Sequence, residues 1–207
     1  MASRESINQE AIALVAQNRL DAYDVVRKQK LQAVVGITGR PLVVYAVDAP
    51  SQNPIKGQLV GAGLLYINVN DKDVFDEMTR NLTGRALDVL LHSPGGSAEA
   101  TESIVHLLRA RFDNIRFIVP SMAKSAATML AMSGDQVVMD EISELGPTDP
   151  QMQLVRDGQP ISSPAQAIVD LFRRAQDEVN RDPSALPSWV PILREFGPSL
   201  LAECYNY

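Results

Sequence analysis

One cysteine, Cys204, and two histidines, His92 and His106, are all that this chain of 207 residues has of the side chains that most often form disulfides and hold transition metals. A single thiol excludes a disulfide within the chain and favours a reducing compartment. The three residues lie far apart in sequence, so the clustered ligands of a metal site are missing. No metal and no cofactor is expected. Long apolar runs are missing too, and none approaches the ~20 residues of a membrane-spanning helix. The opening residues, Met1-Ala2-Ser3-Arg4-Glu5-Ser6, lack the apolar stretch of a secretory leader. These features lead to the expectation of a cytoplasmic protein, with no feature that calls for membrane association. Positive charge is not in excess, since the formal net charge is −6. A protein that grips phosphate backbones wants a basic face, so nucleic acid is not an expected partner. Repeats and low-complexity tracts are absent. No lysine follows Lys124.

What is present is a core: 45% of residues are hydrophobic, enough for one sizeable domain. Residues 6–31 place Ile7, Ala11, Leu14, Val15, Tyr23, Val26 and Leu31 near helical spacing, which predicts one long amphipathic helix or two. Residues 36–40 read as a turn, 41–47 as a strand, 48–57 as a loop and 66–69 as a short strand. Asn70 or Asp71 is expected to cap a helix running to about residue 82. Strand and helix then alternate over residues 86–92, 98–111, 115–119, 124–132 and 136–139, the pattern of βαβ units on a parallel sheet. Residues 141–160 read as one long connection, and a helix is expected to open at Pro164 and run to residue 180. The tail from Arg181 is proline-rich and ends on an apolar, helical-looking stretch, which reads as an oligomer contact or a chain cut short. The expected organisation is a helical segment over residues 1–35, an α/β domain over 36–180 and an extension over 181–207.

Two turns carry the chemistry. The strand over residues 86–92 runs into Ser93-Pro94-Gly95-Gly96, and glycines permit backbone shapes that a side chain forbids. Their N–H groups can turn inward beside a helix start and form a nest for an oxyanion, although a plain strand-to-helix turn has the same look. The turn lacks the Gly-Lys-Ser/Thr ending of a P-loop and the spacing of a dinucleotide fingerprint. The next strand-to-helix turn carries Ser125 among Ala123, Ala126 and Ala127, small neighbours that let a substrate approach. A serine at a helix start is common, so Ser125 alone decides little. Together, one turn offers N–H groups and the other a hydroxyl, the minimum equipment for acyl transfer.

Strand, Ser93-Pro94-Gly95-Gly96, helix, strand, Ala123-Lys124-Ser125-Ala126-Ala127, helix, the Gly134–Asp140 strand segment and Leu145-Gly146-Pro147-Thr148-Asp149-Pro150-Gln151 together resemble the serine dehydrogenase proteinase family. That family is similar to signal peptide peptidase A and the Clp protease proteolytic subunit. The resemblance is dense over residues 87–152. It implies a single ClpP/crotonase-like α/β domain with a parallel sheet, preceded by the N-terminal helix. It further implies Gly95 and Gly96 as the oxyanion turn, Ser125 as the nucleophile, a peptide or protein substrate, and assembly into a closed homo-oligomer.

The resemblance leaves the general base unassigned. A serine hydroxyl is a weak nucleophile until a base takes its proton. Clp-type relatives place a histidine downstream of the serine, where this chain has Asp149-Pro150; lysine-dependent relatives use a downstream helix, where this chain has Ala165-Gln166-Ala167-Ile168. His92, at the end of the strand before the glycine turn, is the candidate nearest the motif. Lys56 or Lys72 reaching in from a neighbouring subunit is the alternative. Lys124 adjoins Ser125, but consecutive residues on a helix do not face each other. His106 falls on a polar helix stripe with Glu102 and Arg109, and Asp149 reads as a turn residue. The functional expectation is a serine peptidase working through an acyl-enzyme on Ser125. The alternatives are a scaffold of the same fold that has lost its base, or an acyl-coenzyme A enzyme of crotonase type.

Overall fold

Leu87, Val89 and Leu91 alternate with Asp88, Leu90 and His92, so a strand here turns every second side chain to one face. In the computed structural model, which describes residues 4–17, 19, 21–47, 65–149, 151–156, 159–194 and 196–205, that strand is β2, Ala86–His92. It lies inside a four-stranded parallel sheet with β1 (Leu42–Ala46), β3 (Asn114–Val119) and β5 (Gln136–Met139) in the order β1-β2-β3-β5. The registers Val43↔Val89, Leu87↔Ile115 and Phe117↔Val137 set the three pairings.

Parallel neighbours need crossovers, and helices supply them. After β1 comes α3, Asp71–Thr79; β2 and β3 are joined through α4, Ala98–Arg111; β3 reaches β5 through the two-residue β4, Met122–Ala123, and α5, Ala126–Met132. Helix α4 shows why these residues make a helix. The Ser97 hydroxyl accepts the Ala100 N–H at 3.1 Å, Ala100, Ile104 and Leu108 recur every fourth residue and are buried, and Arg109 and Arg111 stand in the last turn. Phe112 then takes extended backbone and ends the helix. Phe75 of α3, Ile104 and Leu108 of α4, and Ala127, Leu130 and Ala131 of α5 join Leu87, Val89, Leu91, Ile115, Phe117 and Val119 in one core. Each of the larger side chains, fully removed from water, contributes roughly 1.5–3 kcal/mol. The α/β class and the parallel sheet expected from the alternation are both present.

The chain divides into two compact units, Met1–Gly146 and Pro147–Tyr207. The first opens with a helical pair, α1 (Arg4–Val15) and α2 (Ala22–Thr38), in which Ala11, Ala22 and Val26 are buried. The second holds an antiparallel hairpin of β7 (Gln151–Arg156) and β8 (Gln159–Pro164), then α6 (Ala165–Arg181), a short turn of 3-10 helix, α7 (Leu186–Arg194) and α8 (Gly197–Cys204). Its small core gathers Met152, Ala165, Ile168, Val169 and Cys204, with Phe172 and Phe196 packed edge to face at 6.2 Å. Among the described residues no helix is long and apolar enough to cross a membrane.

Four expectations are corrected. Gly36 is not in a turn; α2 runs through it and stops at Gly39, which takes φ 65° and donates its N–H to Val35 O at 2.8 Å, the left-handed stop that glycine favours. The segment around residue 67 is a single bridge, Ile67 to Gly96, not a strand. Residues 124–125 are not helical; the helix starts at Ala126 because Ser125 takes a backbone shape that no helix contains. The stretch read as one connection over residues 141–160 holds β6, Glu144–Leu145, and most of the β7–β8 hairpin. The loop expected over residues 48–57 lies outside the described residues.

Candidate active site

Beyond His92 the chain turns through Ser93-Pro94-Gly95-Gly96, and both glycines take positive φ, 103° at Gly95 and 153° at Gly96. Close approach demands glycine as much as conformation does. A Cβ on Gly96 would stand 2.2 Å from Ile67 O and 2.4 Å from Ile67 N. Three hydrogen bonds hold the turn. The Gly95 N–H donates to Ser93 Oγ at 3.1 Å, the Ile67 N–H donates to Gly95 O at 2.8 Å, and the Ser97 N–H donates to Ile67 O at 2.8 Å. The Gly95–Gly96 peptide is trans, so the Gly96 N–H points opposite to the Gly95 carbonyl and hence away from Ile67. Among the described residues it has no acceptor.

Ser125 sits on the second turn. It is the one non-glycine residue at positive φ among the described residues, with φ 51° and ψ −127°. Such backbone costs about 1–3 kcal/mol and persists only where the surroundings over-determine it. The surroundings here are specific. Ser93 bridges Ala123, with the Ser93 N–H donating to Met122 O at 3.1 Å and the Lys124 N–H to Ser93 O at 3.0 Å. The Ala127 N–H donates to Lys124 O at 3.0 Å and the Thr128 N–H to Ser125 O at 2.8 Å, closing the turn into α5. Thr128 is buried, and its Oγ1 donates toward Ala123 O at 2.6 Å while accepting the Gly146 N–H at 3.0 Å. The Ser125 hydroxyl caps nothing, and the residue is half-buried. The Ala126 N–H, like that of Gly96, has no acceptor among the described residues.

The two turns touch. A Cβ on Gly95 would lie 2.5 Å from Lys124 O, 2.7 Å from Ser125 Cβ and 3.2 Å from Ala126 N. Gly95, Gly96 and Ser125, separated by about thirty residues of chain, are thus brought together. The sequence marked Ala126 as a small neighbour of the serine and not as a donor; the signal for that role is that the first residue of a helix has an N–H with no intrahelical acceptor.

Among the described residues no candidate base is hydrogen-bonded to the serine. No hydrogen bond joins the His92 ring to Ser125; the alternation of β2 puts His92 on the face of Asp88 and Leu90, opposite to Leu91 and Ser93, and its carbonyl accepts the Val47 N–H at 2.8 Å. Lys124 Nζ donates to Glu144 Oε2 at 2.6 Å, a pairing that holds the Glu144 carboxyl below the usual carboxylate range. His106 and Lys72 are exposed on α4 and α3. Asp149 is an exposed residue of the second unit, and Lys56 lies outside the described residues. Among the described residues no three His, Cys, Asp or Glu side chains cluster to hold a metal.

A parallel α/β sheet whose strand ends hold a kinked serine against a glycine turn defines a ClpP-like protein of serine-peptidase type. The chain belongs to the family of ClpP-like SDH-type serine proteinases, which residues 60–185 match. Two uncharacterised proteins of Methanocaldococcus jannaschii are similar to it. One is 40% identical over 68 residues, 33% of this chain and 24% of the relative, and the other 29% identical over 124 residues, 58% and 40%. The chain therefore spans well under half the length of these relatives. Among solved structures it is similar to the 1510-N membrane-bound stomatin-specific protease. A serine-to-alanine variant is 23% identical with a TM-score of 0.42, covering 52% of this chain and 54% of that one. A lysine-to-alanine variant in complex with a substrate peptide is 26% identical with a TM-score of 0.42, covering 52% and 51%.

Proposed function

We propose that this chain is a serine peptidase that cleaves peptide or protein substrates through an acyl-enzyme on Ser125. The observation that carries the reading is the strained Ser125 backbone packed against the Gly95-Gly96 turn. Ser125 Oγ attacks the scissile carbonyl, and the carbonyl oxygen becomes an anion. The free N–H groups of Gly96 and Ala126 are the candidates to receive it, and removing one such donor typically costs ~10²–10³ in kcat. The peptidase domain is read as residues 36–180, flanked by helical segments over residues 1–35 and 181–207.

The base is read as coming from outside the motif, His92 or a lysine such as Lys56 or Lys72 of a neighbouring copy in a homo-oligomer. A lysine works as a base only when neutral, so burial in the assembly has to lower its pKa. Assembly is then a condition of activity. A second reading, a scaffold of the same fold without catalysis, is favoured by one observation: among the described residues no titratable side chain is hydrogen-bonded to Ser125.

Labelling with a fluorophosphonate probe separates the two. The peptidase reading requires that wild-type protein labels, that Ser125→Ala does not, and that dilution below the assembly threshold removes labelling. Wild-type protein that stays unlabelled when assembled, from pH 6 to about 10, the top of which reaches an unperturbed lysine, establishes the scaffold instead. Labelling that survives in Ser125→Ala means another nucleophile.

A further inference from the structure

Two successive glycines have no side chains to hold their peptide planes, and yet an oxyanion donor is useful only when its N–H is already aimed before reaction. Something else must hold the Gly95-Gly96 turn. The peptide plane after Gly95 is pinned by the Ile67 N–H on Gly95 O at 2.8 Å. The plane before it is pinned, among the described residues, by the Gly95 N–H on Ser93 Oγ at 3.1 Å. Ser93 has no exposed surface, so no water stands ready to replace that hydroxyl.

The same residue reaches the other turn. Its N–H donates to Met122 O and its carbonyl accepts the Lys124 N–H, which binds it to the two residues flanking Ala123 on the approach to Ser125. Among the described residues, the polar contacts of Ser93 therefore join the glycine turn to the nucleophile segment. Pro94, next in the chain, has no N–H to contribute. We infer that Ser93 is a positioning residue, whose buried hydroxyl takes up the Gly95 N–H and whose backbone holds the nucleophile strand, so that the Gly96 N–H is left free and fixed beside Ser125.

This inference rests on the peptidase reading for its catalytic consequence but not for its structural one. Removing the hydroxyl strands a buried N–H and frees the Pro94–Gly95 peptide, so that the plane carrying the Gly96 N–H is held on one side alone, by Ile67, and its aim loosens. Binding of a substrate does not depend on that donor, whereas stabilisation of the tetrahedral state does.

The experiment compares wild type, Ser93→Ala and Ser93→Thr, the last of which keeps the hydroxyl. Amide hydrogen exchange read at Gly95 is expected to quicken by roughly tenfold or more in Ser93→Ala, the rise that loss of about 1.4 kcal/mol of local protection gives, with the core strands β2 and β3 unchanged. Fluorophosphonate kinetics are expected to show the maximal labelling rate falling by roughly 10- to 100-fold, short of complete loss of an oxyanion donor, with the probe's apparent dissociation constant unchanged. Ser93→Thr restores both readouts toward wild type. Exchange at Gly95 that stays at the wild-type rate in Ser93→Ala overturns the inference, as does a rise that spreads equally through β2 and β3, or a labelling defect that lies in the dissociation constant. Wild-type protein that never labels defeats the peptidase reading, and the exchange measurement still decides the role of Ser93.

Discussion

Arg116 grips Asp88 in a parallel fork, Nε to Oδ1 at 3.0 Å and Nη2 to Oδ2 at 2.6 Å, and the Asp88 side chain has no exposed surface. Arg40 adds a second positive charge, its Nε 2.9 Å from Oδ1 but out of line for a hydrogen bond. Its Nη2 donates instead to the carbonyls of Leu87 and Asn114. Two guanidinium groups thus tie β2 to β3 and to the start of β1. Removing the carboxylate leaves both cations without their counter-charge. Asp88→Ala is expected to lower stability by about 3–5 kcal/mol, read as a shift in the urea midpoint at constant m-value. An unchanged midpoint would show that this triad contributes nothing net.

Ser125 offers a separate test of strain. Alanine at 125 keeps a Cβ at φ 51°, whereas glycine occupies that region freely. Ser125→Gly is therefore expected to be more stable than Ser125→Ala by about 1 kcal/mol, although glycine elsewhere is the less stable choice. Both variants lose the hydroxyl, so neither labels. Denaturant curves giving Ser125→Ala the higher stability would count against a strained nucleophile.

The glycine turn has no room for side chains. Gly96→Ala would drive a Cβ into the backbone of Ile67 at 2.2 Å, and Gly95→Ala would drive one into Lys124 O at 2.5 Å. Neither obstacle is the far end of a flexible side chain. Each substitution is expected to destabilise by roughly 2 kcal/mol or more, within the range of overpacking and backbone strain, and to abolish labelling. Gly39→Ala is the control: it also sits at positive φ but meets nothing within 4 Å, so it is expected to cost stability alone and to leave labelling intact.

Acid sensitivity is expected at Asp135. The Ile115 N–H on its Oδ2 at 2.7 Å, and then Arg109 at 2.8 Å, hold its carboxyl below the usual range. A depressed folded-state pKa stabilises fully above the unfolded value of about 3.9 and is lost as pH falls through the lower folded value. The stability difference between wild type and Asp135→Asn should therefore be larger at pH 7 than at about pH 3. Equal differences at the two pH values would show that the carboxylate charge is not what matters there.

Much of the sheet could be read from the chain because its signals are local. The bounds of β2, α4 and β5 agree with expectation where an apolar alternation meets a strong stop: Gly95-Gly96 after β2, the Ser97 cap before α4, Gly134 before β5. Ser125 and the glycine pair were also visible as motifs. That two turns at the same end of one sheet can face each other was legible too; the bridge between Ser93 and Ala123 that holds them in contact was not, because its residues are remote in sequence. The β7–β8 hairpin was missed although Asp157-Gly158 between its two strands is a recognisable hairpin signal. Helix α7 was hidden by its own prolines, with Pro187 in its first turn, where no N–H is needed, and Pro191 inside. Gly36 misled because glycine marks a turn only where the backbone turns left-handed, and that happens at Gly39.

The order of the sheet also sets an order of assembly during synthesis. β1 leaves the ribosome first, yet its partner is β2, with Leu42 waiting for Asp88. The pairs β2–β3 and β3–β5 close over shorter stretches, Leu87 to Ile115 and Phe117 to Val137. Loop closure grows costlier with length, and non-local strand pairing is slow. The nascent chain therefore carries β1 as an unpaired, β-branched segment until residues beyond β2 have been made. The turn bearing Ser125 can close only when Ser93 and the residues that bracket it, Met122 and Lys124, have all been made.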